Sequence, residues 1–430
     1  MRSAVLLLAL LETVEPQTPA PAVRGADLDL LRAVREIAGR VSEIHGDAFD
    51  RPPVAVRAPA ELRAAAAEIR VLNAISRERL AARGRAWVDL GLGSAESPAR
   101  VYGVLAADLD GIGFDPQGNR LLVAPDRLTA ADFLPDAGDT AAILMSTGVR
   151  PDEPLLGHML VHVRQLERSH ADWLGPTTDG TLARAAWAEA EANLLALRYL
   201  FLGVGLADAA LGSGVDPGGV LDGRLVPPAL SDLGGTEREL VRFVYEDGFD
   251  AAAGAFRSGG FAEVARAASR RGTTAAIQHA ERTLAASAPR PAAATVPAGL
   301  ELADEDSLGA HAIFVLIAAL TGKDDLGLQA ASGWLEDRLE RLEPRPPEPP
   351  ERGVTRWDVR FTDEAGASDF EYALVRGLET RFPGRTYARS ESARVLTTPD
   401  RVFRLERQPT AVRLIIGPPA PARADDRPSR

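Results

Sequence analysis

The chain of 430 residues is 46% hydrophobic and 26% charged, which is ordinary for a globular protein of one to three domains with a sizeable core. Its 61 acidic residues outnumber 49 basic ones, and the net charge of −12 argues against nucleic-acid binding, which needs a basic face. The absence of cysteine excludes disulfides, thiolate metal sites, iron–sulfur clusters and cysteine catalysis. Metal or acid–base chemistry therefore depends on carboxylates and six histidines: His45, His158, His162, His170, His279 and His311.

Residues 1–22 resemble a short secretory signal. Arg2 precedes an apolar run from Ala4 to Leu11, and a Pro- and Ala-rich stretch follows. We therefore expect export to the periplasm or the extracellular space; with an uncleaved leader, the run would be a buried first helix of a cytoplasmic protein. The run is far shorter than the roughly 20 residues of a membrane-spanning helix, and we predict no integral membrane segment.

The middle of the chain is patterned for helices. Apolar residues recur every three to four positions over 27–44 and 60–83, the period of a helix with one buried face. A turn at Asp115-Pro116 and Gly118-Asn119 separates two short apolar runs, which predicts a β-hairpin over 111–125. Further long helices are predicted at about 152–171, 181–204, 236–257 and 306–321.

Two proline-rich linkers, 288–299 and 343–353, lie in the C-terminal third of the chain. After the second linker we predict a module at 354–417 with the order strand–helix–strand–strand, followed by a disordered tail at 418–430. Residues 25–342 would form one predominantly helical domain. The predicted fold class is α+β, predominantly α-helical. The strand-like segments of the module are 357–361, 394–397, 402–406 and 411–416, and its helix is 365–382.

His158 and His162 are four residues apart in a predicted helix. This spacing places both imidazoles on one face, one turn apart, where they could bind one metal ion. An HxxxH pair alone is a weak signal, because two half-buried structural histidines give the same pattern. We interpret His45, His170 and His311 as structural.

The next helix carries Glu189 and Glu191 within an otherwise apolar stretch. A buried carboxylate needs a partner, and a metal ion held by two histidines would be one. Two histidines and one glutamate form a His2Glu zinc site with a fourth position open to water. Because the two glutamates lie about 200° apart on a helix, we assign Glu189 to the metal and expect Glu191 to face solvent.

These stretches resemble bacterial gluzincin-type metallopeptidases, whose core reads A-H-E-x-x-H-A-L-Q-D-Q-H and, about two dozen residues later, L-x-E-G-[DE]-A. The counterparts here are 157–165 and 188–192. Weaker matches follow in the family's order over residues 60 to 417. They are Gly113–Pro116 with Arg120–Val123, Phe243–Gly248, Gly259–Phe261, Thr273–Glu281, Ser332–Arg338 and Trp357–Phe370.

The resemblance implies a zincin-like helical core, a zinc ion bound by His158, His162 and Glu189, and Tyr245 and His279 as transition-state stabilisers. A packed aromatic residue and a surface or capping histidine are the structural alternatives for the last two. No P-loop, Rossmann fingerprint or nucleophile elbow competes with this interpretation.

Met159 occupies the position of the family's general base. The glutamate there takes a proton from metal-bound water, and losing a positioned base typically costs about 10²- to 10⁴-fold in rate. Glu153 and Glu167 are poorly placed to replace it, and Glu191 is the best remaining candidate although its helix face is unfavourable. Arg164 could also bring positive charge near the metal. Ala190 and Ala280 are further departures from the family pattern.

Three functions remain open. The first is a degenerate zincin that has lost its base and binds a peptide or protein partner through the former active-site cleft. The second is an active zinc hydrolase with a displaced base. The third is a structural, secreted protein in which the histidine pair is vestigial. The first is the interpretation that Met159 favours.

Overall fold

The computed structural model describes residues 27–419 apart from 52, 108, 128–148, 151, 170–171, 203–226, 271, 280–290, 292–294, 386 and 390–392. The predicted leader, His170, Ala280 and nearly all of the predicted tail lie outside the described residues. Within the described parts of the chain, every helix is too short or too polar to cross a lipid bilayer, as the sequence predicts.

The fold is α+β and predominantly helical, which confirms the predicted class. The helices are α1 (Leu28–His45), α2 (Ala60–Ala74), α3 (Arg77–Leu90), α4 (Ser97–Ala106), α5 (Asp152–Ser169), α6 (Thr178–Leu202), α7 (Gly235–Tyr245), α8 (Asp247–Arg270), α9 (Thr274–Gln278), α10 (Gly309–Thr321), α11 (Asp324–Ala331) and α12 (Glu364–Arg381). The strands are β1 (Val54–Arg57), β2 (Ile112–Asp115), β3 (Arg120–Val123), β4 (Leu300–Asp306), β5 (Trp334–Pro344), β6 (Val354–Phe361), β7 (Ala388–Arg389), β8 (Ala393–Thr397), β9 (Val402–Gln408) and β10 (Ala411–Gly417).

Two predicted helices are each divided in the structure. The run at 60–83 breaks before α3, because Ser76 adopts an extended backbone and its hydroxyl caps the new helix by accepting from the Arg79 amide at 3.3 Å. The run at 236–257 ends at Tyr245, and α8 begins two residues later. The capping residue Ser76 marks the first break in the sequence, whereas the apolar periodicity continues across it.

The chain divides into two compact units. The first unit comprises residues up to 74, 100–174 and 183–272. Its small sheet has the order β1-β3-β2, in which β1 pairs with β3 in parallel and β2 and β3 form the predicted hairpin. Helix α1 buries Leu30, Val34, Ile37 and Val41 and packs against α5. Helix α5 is buried from Asp152 to Arg164, so its polar residues must find partners inside the protein.

The second unit comprises residues 75–99, 175–182 and 273 onwards. Its sheet has the order β4-β5-β6-β10-β9-β8-β7, and each pairing is antiparallel. The strands predicted at 354–417 thus belong to a larger sheet that also contains β4 and β5. Residues 345–353 connect β5 to β6, so the predicted linker 343–353 overlaps the end of β5. Helices α10, α11 and α12 pack together, and α12 contacts β6, β9 and β10.

Buried carboxylates organise the interior of the second unit. Asp179 accepts hydrogen bonds from the amide and the hydroxyl of Thr274, at 2.9 and 2.6 Å, and Asp306 accepts the same pair from Thr178. Asp337 accepts from the indoles of Trp334 and Trp357 and from two backbone amides. Burial is the main cause that raises the pKa of Asp179 to about 7; the hydrogen bonds from Thr274 oppose it, and the charges of Asp337 and Asp306 contribute to the rise.

This raised pKa makes stability fall as the pH rises. Unfolded aspartate has a pKa of about 3.9, so between pH 4 and 7 the folded protein retains a proton that the unfolded chain releases. We expect Asp179→Asn, which keeps an acceptor for Thr274 and removes the charge, to raise the unfolding free energy at pH 8 by about 1–2 kcal/mol. The variant should also show a weaker dependence of that free energy on pH between 5 and 8 than wild type.

Urea unfolding followed by tryptophan fluorescence at several pH values measures both effects. Asp306, whose pKa burial raises to about 6, should leave a residual pH dependence in the variant. Asp400→Asn, at an exposed turn of the same unit, is the matched control and should behave as wild type. Lower stability of Asp179→Asn at pH 8 would show that the ionised carboxylate is needed.

Candidate metal centre

Helix α5 places the two histidines of the HxxxH pair on one buried face. The side chains of His158 and His162 are 1% and 2% exposed, and their Nε2 atoms are 3.0 Å apart. The two rings meet edge to face with centroids 4.8 Å apart. The four-residue spacing therefore brings two ring nitrogens to one point, as the sequence predicts.

Helix α6 brings Glu189 to the same point. One carboxylate oxygen lies 3.3 Å from Nε2 of His158, and the other lies 3.5 Å from Nε2 of His162. These three residues form the one group of three or more potential metal ligands among the described residues. Ligands about 2.0–2.1 Å from a tetrahedral zinc ion are about 3.3 Å apart, so the measured separations match a common metal within the triangle.

Burial and charge favour a cation at this point. Burial lowers the pKa of His158, and the neighbouring His162 lowers it further, while Glu189 opposes both. The resulting neutral imidazole is the form that binds metals. Burial alone would raise the pKa of Glu189, but the hydrogen bonds and charges of the two histidines outweigh it and lower the pKa. With both imidazoles in the neutral form that binds metals and Glu189 ionised, such a ligand set would carry a charge of −1.

The ring of His162 is held on two sides. Its Nδ1 lies 2.8 Å from the side-chain oxygen of Gln165, one turn further along α5. Trp173 covers the ring with centroids 4.4 Å apart, and the guanidinium of Arg70 lies 4.2 Å from the Trp173 ring. Asp172 in turn accepts two hydrogen bonds from Arg70, at 2.8 and 3.0 Å. These contacts fix the orientation of His162.

The outer nitrogen of His158 is in a different situation. Its Nδ1 is buried without a hydrogen-bond partner among the described residues. The amide of Asn193, four residues after Glu189 on α6, is also fully buried and lacks a hydrogen bond of good geometry there, and its interaction with His158 offsets a small part of the lowering of that histidine's pKa by burial. Buried polar atoms without partners are rare in proteins. The interaction between the two side chains makes Asn193 the outer polar neighbour of His158.

The prediction that Glu191 faces solvent is wrong, because protein also encloses helix α6 on that side. Its side chain is 6% exposed and lies 2.8 Å from Nε2 of His45 and 2.6 Å from Nη2 of Arg168. Gln165 donates to its other oxygen at 2.9 Å. Burial opposes ionisation, but His45 and Arg168 outweigh it and lower the pKa of Glu191 to about 2. Glu191 therefore accepts from three groups and is not free to act as a displaced base.

The remaining candidates for a general base also have other partners. Met159, which directly follows His158 and replaces the family's base, is buried and has no basic group. Glu153 accepts hydrogen bonds from Tyr199 at 2.8 Å and from Arg150 at 2.9 Å, and Glu167 accepts from the amide of Asp50 at 3.4 Å. None of them belongs to the ligand group.

Arg164 does not bring uncompensated charge to the metal ligands. Its guanidinium pairs with Asp47 at 2.6 Å and lies 5.2 Å from the centre of the Phe49 ring. Burial lowers the pKa of this arginine, whereas the charge of Asp47 raises it. The positive charge of Arg164, which was predicted to disturb the metal site, is therefore compensated by Asp47 in the segment after α1.

The two residues that the resemblance names as transition-state stabilisers fall in different units. Tyr245 is the last residue of α7 and is buried. Burial raises its pKa well above the ordinary value, and the negative charge of Glu189 adds to this effect, so the tyrosine lies near the ligand group. His279 follows α9 in the second unit and is not one of the three clustered ligands.

A cavity of about 350 Å³ lies one helical turn from His162. Its walls include Leu166 from α5, Arg70 and Asn73 from α2, and Gln117 from the β2–β3 turn. Asp172, which holds Arg70 beneath Trp173, also lines it. A mixed polar and apolar hollow of this size is large enough for one or two amino-acid side chains.

No protein-family model, curated protein or solved structure matches this chain.

The sequence pattern predicts the three potential metal ligands but not the residues around them. Gln165, His45, Arg168 and Trp173 orient or enclose the ligand group. Gln165 lies three residues after His162, so helical periodicity could have placed it beside the histidine, and Arg168 lies three residues after Gln165. His45 and Trp173 come from other segments, and periodicity within one helix carries no information about them.

The contacts of Glu191 predict a large loss of stability when it is removed. Glu191→Ala leaves His45 without its carboxylate and takes an acceptor from Gln165 and Arg168. Breaking a buried ion pair typically costs about 3–5 kcal/mol, and the partial exposure of Arg168 (34%) reduces this cost. We expect a decrease of about 2–4 kcal/mol in the unfolding free energy of the metal-free protein, measured by urea titration.

Glu239→Ala is the matched control for that measurement. Glu239 pairs with Arg242 on α7 in the same unit, and both side chains are nearly half exposed. Exposed pairs contribute at most about 1 kcal/mol, so this variant should unfold close to wild type. Equal stability of the two variants would mean that the Glu191 network does not stabilise the first unit.

Proposed function

We propose that this protein is a pseudo-metallopeptidase, a metal-binding relative of the zincins that has lost hydrolytic function and binds a peptide or protein partner instead. The observation that carries the proposal is the convergence of His158, His162 and Glu189 on one point while Met159 occupies the position of the base. The proposed metal is zinc, because two imidazoles and one carboxylate with tetrahedral separations suit it.

The ligand set suggests what the metal would contribute. Zinc bound by three side chains acts as a Lewis acid and lowers the pKa of a bound water. Proton transfer from that water requires a base within hydrogen-bond reach. Methionine has no such group, and Glu153 and Glu191 are engaged elsewhere. This supports a site that binds its ligand without cleaving it at the rate of an active zincin.

Metal binding is tested with protein that has been stripped by a chelator and dialysed. Competition with a fluorescent zinc chelator should give one zinc per chain, and His158→Ala should weaken the affinity at least about 100-fold, since a first ligand is lost. Thermal unfolding with and without zinc gives an independent measure of binding. Absence of any zinc binding by wild type at neutral pH would reject the proposal.

The loss of hydrolysis is tested by restoring the base. Met159→Glu should gain about 10²- to 10⁴-fold in cleavage of an unstructured, fluorescently labelled peptide, whereas Met159→Gln, of similar size but without a basic carboxylate, should gain nothing. Wild-type cleavage at a rate typical of zinc peptidases, abolished by His158→Ala, would instead establish an active hydrolase with a displaced base.

The partner is proposed to be an unstructured peptide segment that enters the cavity beside His162. We expect Leu166→Arg, which fills this cavity with a long charged side chain, to weaken binding of labelled peptides at least about tenfold in fluorescence anisotropy. Zinc affinity should not change. Leu328→Arg, at an exposed position of the second unit (60% exposed), is the control. Peptide binding that is equal in both variants would exclude the cavity.

A further inference from the structure

We propose that Gln165 is the positioning residue of the metal centre: it holds His162 in the tautomer whose Nε2 lone pair faces the other two ligands. The inference deepens the proposed metal-binding function and rests on it. The observation behind it is the set of hydrogen bonds that joins His162 through Gln165 to Glu191.

The orientation of the Gln165 amide follows from its neighbours. The amide nitrogen lies 3.0 Å from the backbone carbonyl of Ala188 and 2.9 Å from a carboxylate oxygen of Glu191. A carbonyl oxygen can only accept a hydrogen bond, so the NH2 group must point toward α6. The side-chain oxygen of Gln165 therefore faces Nδ1 of His162, at 2.8 Å.

This orientation determines where His162 carries its proton. An amide oxygen has no hydrogen to donate, so Nδ1 must be the donor of the 2.8 Å bond. Neutral imidazole has only one N–H, and Nε2 is then left with a free lone pair. That lone pair points into the triangle formed with His158 and Glu189. Gln165 thus selects the tautomer that a metal ion requires.

The amide of Gln165 is held in place by the carboxylate of Glu191, which has further partners of its own. Glu191 is held by His45 from α1 and by Arg168 from α5, while its own helix also supplies the Ala188 carbonyl. Gln165 is therefore attached to two points of α6, and rotation of its amide by 180° would place its oxygen against two acceptors. Hydrogen bonds set the tautomer of His162, and the Trp173 ring at 4.4 Å sets its plane.

The hydrogen bond from Nδ1 of His162 to Gln165 is of the kind that an imidazole makes when its other nitrogen binds a metal. A histidine that binds a metal usually donates its other N–H to an outer group, and loss of that group typically weakens metal binding about 10- to 100-fold. Here the outer group is neutral, so it orients the imidazole without adding a charge beside it. Gln165 touches neither the metal position nor a substrate, and its effect acts through His162.

The test uses Gln165→Met, which keeps the length of the side chain and removes its hydrogen bonds. In the metal-free wild-type protein, long-range nitrogen–proton NMR of labelled histidines should show His162 as the Nδ1–H tautomer. The variant should show a mixture of tautomers, and its zinc affinity, from chelator competition, should fall about 10- to 100-fold. The cobalt-substituted variant should show a broadened or shifted visible spectrum.

Gln278→Met is the matched control. The amide of Gln278 also binds a histidine, donating to Nδ1 of His311 at 3.0 Å, but both residues belong to the second unit. This variant should leave the zinc affinity and the His162 signals unchanged. It therefore separates a general effect of losing a glutamine–histidine hydrogen bond from the specific effect at the metal ligand.

The outcomes separate this inference from the proposed function. Wild-type protein that binds no zinc would reject the metal site. Wild-type protein that binds zinc while His162 carries its proton on Nε2 in the metal-free form would overturn the role of Gln165 alone, and this measurement does not depend on folding of the variant. A folded Gln165→Met protein with wild-type zinc affinity would overturn it equally.

Discussion

Two buried carboxylates on one helix constrain the whole of the first unit. Glu189 and Glu191 point to different sides of α6, and both are removed from water. An unpartnered carboxylate in such a place would be prohibitively unfavourable, so each side of the helix must provide donors. Helix α5 provides the two ligand histidines for one side and Arg168 and Gln165 for the other, and α1 adds His45. The packing of α1, α5 and α6 is therefore tied to the chemistry of the site.

Glu189 and Glu191 in the first unit and Asp179 in the second unit are buried carboxylates with opposite pKa shifts. In the first unit, imidazole and guanidinium groups keep Glu189 and Glu191 ionised, and their pKa values are lowered despite burial. In the second unit, burial and the neighbouring aspartates together raise the pKa of Asp179 to about 7, because its hydrogen bonds from Thr274 only partly oppose them. Neutral hydrogen bonds satisfy a carboxyl group without compensating its charge. The first arrangement retains charge for a ligand, whereas the second arrangement makes folding sensitive to pH.

The ligand set was predictable from the sequence because it depends on spacing within single helices. The interval from His158 to His162 fixes a shared face whatever surrounds the helix. The same reasoning failed for Glu191, since the angle between two side chains does not say whether solvent or protein lies on the far side. Strands β4 and β5 were missed because buried ion pairs interrupt their apolar pattern. Asp304 in β4 pairs with Arg83, and Arg341 in β5 pairs with Asp89. Tertiary partners, rather than local preference, decide such positions.

The arrangement around His162 also bears on whether the histidine pair is only structural. A pair of buried histidines that served packing would need each polar nitrogen satisfied, and either tautomer would do. Here Gln165 confines the proton of His162 to its outer nitrogen, Nδ1, while Nδ1 of His158 has no hydrogen-bond partner within the part of the chain that the structure describes. The inner nitrogens and the Glu189 oxygens are instead grouped at the mutual separations of a tetrahedral ligand set. In the absence of a cation, a proton on Nε2 of His158 can hold the group together, because that atom lies 3.0 Å from Nε2 of His162 and 3.3 Å from a Glu189 oxygen. A cation at the same point would replace this proton and be bound by all three side chains, which is why the group is a candidate metal site.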